Sequence, residues 1–231
     1  MSKLEIVEKS LILRINANLE IICQKSTNNA KVTYDLKSYS GHHYDITFDG
    51  KVLSIRALEK EKVQNDITSK FRGSLTGKKN FWDVLFAGIK TVKDIAAEKN
   101  SYRKDSLTVF IPCLENFSVI GENCYLKINS VNAKKIDLDV AALKLHEEKT
   151  VSKEMRVKSS SLKANVFFGK DNANIFIKAN NGKVVVVKEN KFDGAIRVTG
   201  NNVRTKGSVS GNNSVGLCKM SFNNGHVTVL Q

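Results

Sequence analysis

The stretch IDLDV (136–140) is where side chains of catalytic type stand at a productive spacing. Asp137 and Asp139 are two residues apart, so on a strand they share one face. Paired carboxylates on a β surface can hold Ca²⁺ or act as acid and base on a glycosidic bond. Ile136, Leu138 and Val140 claim the core, which sends both aspartates outward. Ca²⁺ takes roughly six to eight oxygens, and no neighbouring apolar burst adds a third or fourth carboxylate. A solvated face is the plainer reading. A carbohydrate-active enzyme using Asp137 and Asp139 is the alternative.

The other candidate groups are isolated. His42 and His43 lie in SYSGHHYD, a strand-connecting loop, and adjacent strand residues would point opposite ways; they read as solvated. His146 and His226 stand alone and read as structural or surface residues. Cys23, Cys113, Cys124 and Cys218 form no CxxC pair, which argues against a zinc site. Buried free thiols are expected, with the disulfide state left open. No GxxxxGK[ST], GxGxxG or GxSxG occurs. The chain is therefore expected to lack catalytic, cofactor-binding and metal sites.

Cations are plentiful. The formal net charge is +14, which suits a polyanionic partner and equally a Lys-rich soluble surface. Lys127, Lys144, Arg156, Lys178, Arg197 and Arg204 sit at or beside the outward position of successive apolar bursts. Stacked coils would align some of them into a basic stripe, either a binding site or a device against edge pairing. A second group, Phe81, Trp82, Leu85, Phe86 and Ile89, is a candidate contact for a partner or a membrane surface.

The elements that must position these residues are strands. Residues 10–60 alternate with a period of two in LILRI, LEIICQ, KVTYDL, YDITFDG and KVLSIRAL, separated by turn-forming STNNA and SYSGHH. This predicts an antiparallel or mixed β unit over 1–60 that caps the strands C-terminal to it. Residues 61–105 form a variable insert. Within it Phe81, Leu85, Ile89, Val92 and Ala96 carry helical spacing. From 106 to 231 short apolar bursts recur at steps of about seven to twelve residues, so two bursts make a unit of roughly twenty. Bursts that short cannot close a sheet alone, and stacking them gives a parallel β-solenoid. A β-sandwich is the runner-up, but Asn-Gly dipeptides occur only at 181–182 and 224–225, where a meander would want more. The fold class is thus all-β: an N-terminal strand unit continuing into a parallel β-solenoid, with a short helical or irregular insert. The final HVTVLQ is expected to leave an apolar edge that pairs with another chain or is covered by residues 81–97.

DGKVLSIRALEK (49–60), SLTVFIPCLENFSVIG (106–121) and the repeats after them resemble a bacterial family, the putative-adhesin β-strand-repeat domains of unknown function. The likeness covers nearly all of the chain and rests on patterning. The family's repeats are rich in Ser, Gly and Asp; here only SVSGNN (208–213) shows that composition, and Lys and Asn stand elsewhere. The resemblance implies a β-solenoid and an adhesin-type binding role.

Residues and resemblance together predict a non-catalytic binding or scaffolding protein presenting a repeat-built β surface to an extended, anionic partner. The partner classes are an anionic polymer or a membrane surface, and a protein or a second copy through the C-terminal coil. No specific nucleic-acid sequence is expected, because no aromatic residues are regularly interleaved with the cations. The N-terminal segment has no signal-peptide pattern and no stretch is long and apolar enough to span a bilayer. The expected location is the cytoplasm, with cell-surface association left open.

Overall fold

A computed structural model describes residues 2–5, 9–27, 31–39, 42–58 and 104–231, with side chains from residue 9 onward. The insert helix predicted around Phe81–Ala96, with Trp82, Leu85, Phe86 and Ile89, lies outside the described residues. The chain divides into two compact units: Met1–Lys37, Tyr44–Ala57 and Ser106–Gln231 form one, Ser38–His43 and Leu58–Asp105 the other. In the second unit, Asp105 is 4% exposed and accepts hydrogen bonds from the Tyr39 amide (2.6 Å) and the Ser38 hydroxyl (3.4 Å).

The first unit is a β-solenoid. Its strands are β1 (Ser2–Glu5), β2 (Ser10–Asn16), β3 (Glu20–Lys25), β4 (Lys31–Lys37), β5 (Tyr44–Phe48), β6 (Val52–Ala57), β7 (Ser106–Ile111), β8 (Leu114–Asn129), β9 (Ala133–Glu148), β10 (Glu154–Phe168), β11 (Asn174–Lys188), β12 (Gly194–Lys206) and β13 (Asn212–Leu230). From β8 to β13 neighbouring strands are parallel and in register. That excludes the sandwich, whose sheets are antiparallel.

Each long strand is two arms joined at a corner. In β9, Ile136, Leu138 and Val140 are buried, and then Leu143, Leu145 and Glu147. The inward phase slips by one residue at Ala141–Ala142, because two successive residues there face outward. Equivalent corner positions are Asn123, Ser161, Asn181, Asn224 and Asn202. The last three form a side-chain amide ladder, Asn224 Nδ2 donating to Asn181 Oδ1 (3.1 Å) and Asn202 Nδ2 to Asn224 Oδ1 (3.0 Å). Such ladders satisfy polar corners at every step of a stack. Arm 1 precedes the corner and arm 2 comes after it. Isolated parallel bridges, Asn132–Val151 and Ser152–Asn172, line the return segments.

The stacking order departs from chain order at both ends. Arm 1 of β8 pairs with β2, and β2 with β6; arm 2 of β8 pairs with β3, and β3 with β7. So β2 with β3 is one coil and β6 with β7 the next. Antiparallel β5 and β4 cover that second coil, and β4 pairs in turn with β1. At the other end β13 inserts between β11 and β12. The expectation that HVTVLQ would leave an apolar edge is therefore not met: Val227 is buried and paired on both sides, Val229 is buried and paired with Val186, and β12 is the outermost strand. The reason is composition. β13 offers Cys218, Met220, Phe222, Val227 and Val229 to the core, whereas almost all of β12 beyond Ile196 is at least partly exposed.

One apolar core runs the length of the stack, from Leu11 to Val229. The four valines of KVVVV alternate: Val184 and Val186 are fully buried, Val185 is half-buried and Val187 exposed. Phe222 fills space that glycines leave. A Cβ on Gly182 would stand 2.3 Å from the Phe222 ring, and one on Gly225 2.8 Å from it. All four cysteines are free; Cys23, Cys124 and Cys218 are buried and Cys113 is exposed. Burial pushes the Cys124 and Cys218 thiols up to about 12 and raises Cys23 too, so these three are poor nucleophiles.

Candidate polyanion-binding surface

Parallel register places equivalent outward residues in columns across the strands, at a ladder spacing of about 4.8 Å. The six cations singled out in the sequence fall on two faces. Arg156 and Arg197 share an arm-1 column with Asp137, Phe176 and Lys219, and Lys178 stands in the adjacent column beside Lys158. Lys144 and Arg204 belong to arm 2, with Lys127 in the column next to theirs.

Arm 2 carries a longer basic column than the sequence singled out. Lys144, Lys163, Lys183, His226 and Arg204 succeed one another in direct register on β9, β10, β11, β13 and β12. All five are exposed. Among the described residues no carboxylate forms an ion pair with any of these four lysines and arginines. Like charges directly opposed on a sheet repel, so the column concentrates positive potential. Lys163, Lys183 and His226 were missed because their alignment depends on a coil length that varies and on β13 sitting inside β12. The repeated apolar–Lys–apolar triplets LKL (143–145) and LKA (162–164) were the available signal.

The column ends on an aromatic ring. Tyr125, in register with Lys144, has the Lys144 ammonium 4.3 Å and the Lys127 ammonium 5.3 Å from its ring centroid. Lys127 also pairs with Glu20 at 2.8 Å, and this hydrogen bond raises its pKa. Each face thus carries an aromatic group beside its cations, Tyr125 on arm 2 and Phe176 on arm 1.

The aspartates face outward, as their spacing predicts, but they are not a free pair. Asp137 accepts from Lys135 at 2.9 Å and Asp139 from Lys158 at 3.0 Å. Across the ladder they face Arg156 and Lys158 rather than further carboxylates. Among the described residues no group of three or more His, Cys, Asp or Glu side chains could hold a metal, and no helix is long and apolar enough to cross a membrane. His146 pairs with Glu148 at 2.7 Å. His42, exposed in its loop, has the Asp105 carboxylate 3.5 Å from Nδ1, a partner not evident from the sequence.

No family model matches the chain, and no curated protein matches it. Among solved structures, a putative cell adhesion protein from Clostridium sporogenes aligns with 100% of this chain and 99% of its own, at 9% sequence identity and a TM-score of 0.37. At those values the neighbour fixes neither family nor function.

Proposed function

We propose that this is a non-catalytic, adhesin-type binding protein whose arm-2 face engages an extended anionic polymer. The observation that carries the reading is the in-register column Lys144–Lys163–Lys183–His226–Arg204. A polyanion lying along the stack meets a cation at nearly every ladder step and releases its own counterions. It also relieves repulsion that the sheet otherwise sustains. The carbohydrate-active alternative loses support because each aspartate of its proposed pair is already held by a lysine.

Binding of heparin, duplex DNA and anionic vesicles at low and physiological salt tests this. The wild type should bind flexible or linear polyanions with little sequence preference. A Lys144→Glu, Lys163→Glu, Lys183→Glu variant should bind far more weakly and keep its fold, since all three side chains are solvated. No binding at low salt, or equal binding by the variant, would leave the column a solubility device. Binding to vesicles alone would move the reading to a membrane surface.

A further inference from the structure

Arm 1 holds a second, chemically different concavity. A groove of 560 Å³ crosses β9, β10, β11 and β13 on the outward side of that arm. Phe176 is among its lining residues; it is only partly buried, and Arg156 and Lys219 flank it in register on the two neighbouring strands. Lys178 lies two residues along the same strand. Asp137 and Asp139 also line the groove, each held by a lysine.

We propose that this groove binds an acidic oligosaccharide, a chain of pyranose rings bearing carboxylates. The three features match the three faces of such a sugar. An aromatic side chain offers a flat apolar platform for the C–H face of a ring. Arg156 and Lys219 stand on either side of that platform; Arg156 holds Glu154 through Nε at 2.8 Å, and its terminal N–H groups, with the Lys219 ammonium, offer charge-assisted hydrogen bonds to a ring carboxylate. The two aspartates, which can only accept, take hydrogen bonds from the hydroxyls of the neighbouring ring. The same aspartates disfavour a more densely charged polymer such as nucleic acid, whose closely spaced phosphates would have to run across them. Arm 2, with no carboxylate in its basic column, has no such filter. The two faces therefore select different classes of anion, and this site stands whether or not the arm-2 column binds.

Calorimetric titration with an unesterified tetragalacturonate, and with its methyl ester as the uncharged control, tests the site on the full chain. The wild type should bind the acid at least about tenfold tighter than the ester. Phe176→Ala should weaken it by about tenfold. Phe176→Leu, which keeps apolar bulk in case the alanine variant is unstable, should weaken it nearly as much. Arg156→Gln should remove the preference for the acid over the ester. The Lys144→Glu, Lys163→Glu, Lys183→Glu variant should bind the acid like the wild type. No heat of binding at millimolar ligand, equal affinity for acid and ester, unchanged affinity in both Phe176 variants, or loss of binding in the arm-2 variant would each overturn the proposal.

Discussion

Glu147 shows what a single inward carboxylate does to a stack of apolar columns. It is 3% exposed, in register with Ile128 on β8. Its Oε1 accepts from the Thr150 amide at 3.1 Å and its Oε2 from the Phe167 amide at 2.5 Å. It therefore ties the end of one coil to the next where the chain leaves the sheet. Glu147→Ala would strand two amides, at about 1–3 kcal/mol each, and thermal unfolding should show a correspondingly lower Tm. Burial raises the Glu147 pKa above 4.5, against the opposing hydrogen bonds. The folded state then holds this proton more tightly than the unfolded chain. Its contribution to stability is full below pH 4.5 and is lost as pH rises through the raised value. Stability measured by denaturant titration should fall across that window in the wild type, and the fall should be absent in Glu147→Gln. Asp49 and Glu115, both lowered, act with the opposite sign, losing stabilisation as pH drops through their depressed values. A buried carboxylate in an otherwise apolar alternation was not legible in LKLHEE, because Glu147 reads there as one of two surface acids.

At the scale of the element, much was legible. The strands β2 to β6 coincide with the alternating segments read from residues 10–60, and the unit of roughly twenty residues is the coil length, as in Met155↔Ile175. Alternation also resolves the four valines. Val186→Asp should destabilise by several kcal/mol, since it buries an unpaired charge, whereas Val187→Asp should be tolerated. Equal melting points for the two variants would refute the core assignment. The order of the last two coils was not legible, because a local pattern ranks strands by content and says nothing of which one turns back. In a Cys113→Ser background, Asn181→Cys with Asn224→Cys should form a disulfide on mild oxidation, their positions being ladder neighbours. Asn181→Cys with Asn202→Cys should not, because β13 stands between them. The reverse result would restore chain order.

At the scale of the molecule, the solenoid meets the problem of its ends by rearranging the chain. Antiparallel β4 and β5 cover the coil made by β6 and β7. At the other end β12 takes the outermost place, with Arg197, Arg204 and Lys206 exposed along it. Cations and bends on a terminal strand discourage pairing with another sheet. Gly200, Gly207 and Gly211 supply positive-φ positions in and just after β12, where a Cβ would strike the β13 or Gly194 backbone. Residues 1–60 thus supply coils of the stack through β2, β3 and β6 as well as its cover through β1, β4 and β5. We propose that 61–105 is an insert between this segment and the stack of 106–231. The candidate surface was only half legible. The net charge pointed equally to a polyanionic partner and to a Lys-rich soluble surface, and the triplets marked outward cations, but assigning each cation to a face required the corner phase slip and the β13 insertion. Neither leaves a local mark in sequence.

The salt dependence of heparin or duplex DNA binding tests the central claim most directly. Four permanent cations in the column imply a slope of log Kobs against log salt of about −3 to −4 on a duplex. Lys144→Glu, Lys163→Glu, Lys183→Glu should reduce its magnitude by about three, while Arg156→Gln on the other face should leave it nearly unchanged. A slope that survives the arm-2 reversals, or that collapses with Arg156→Gln alone, would contradict the account.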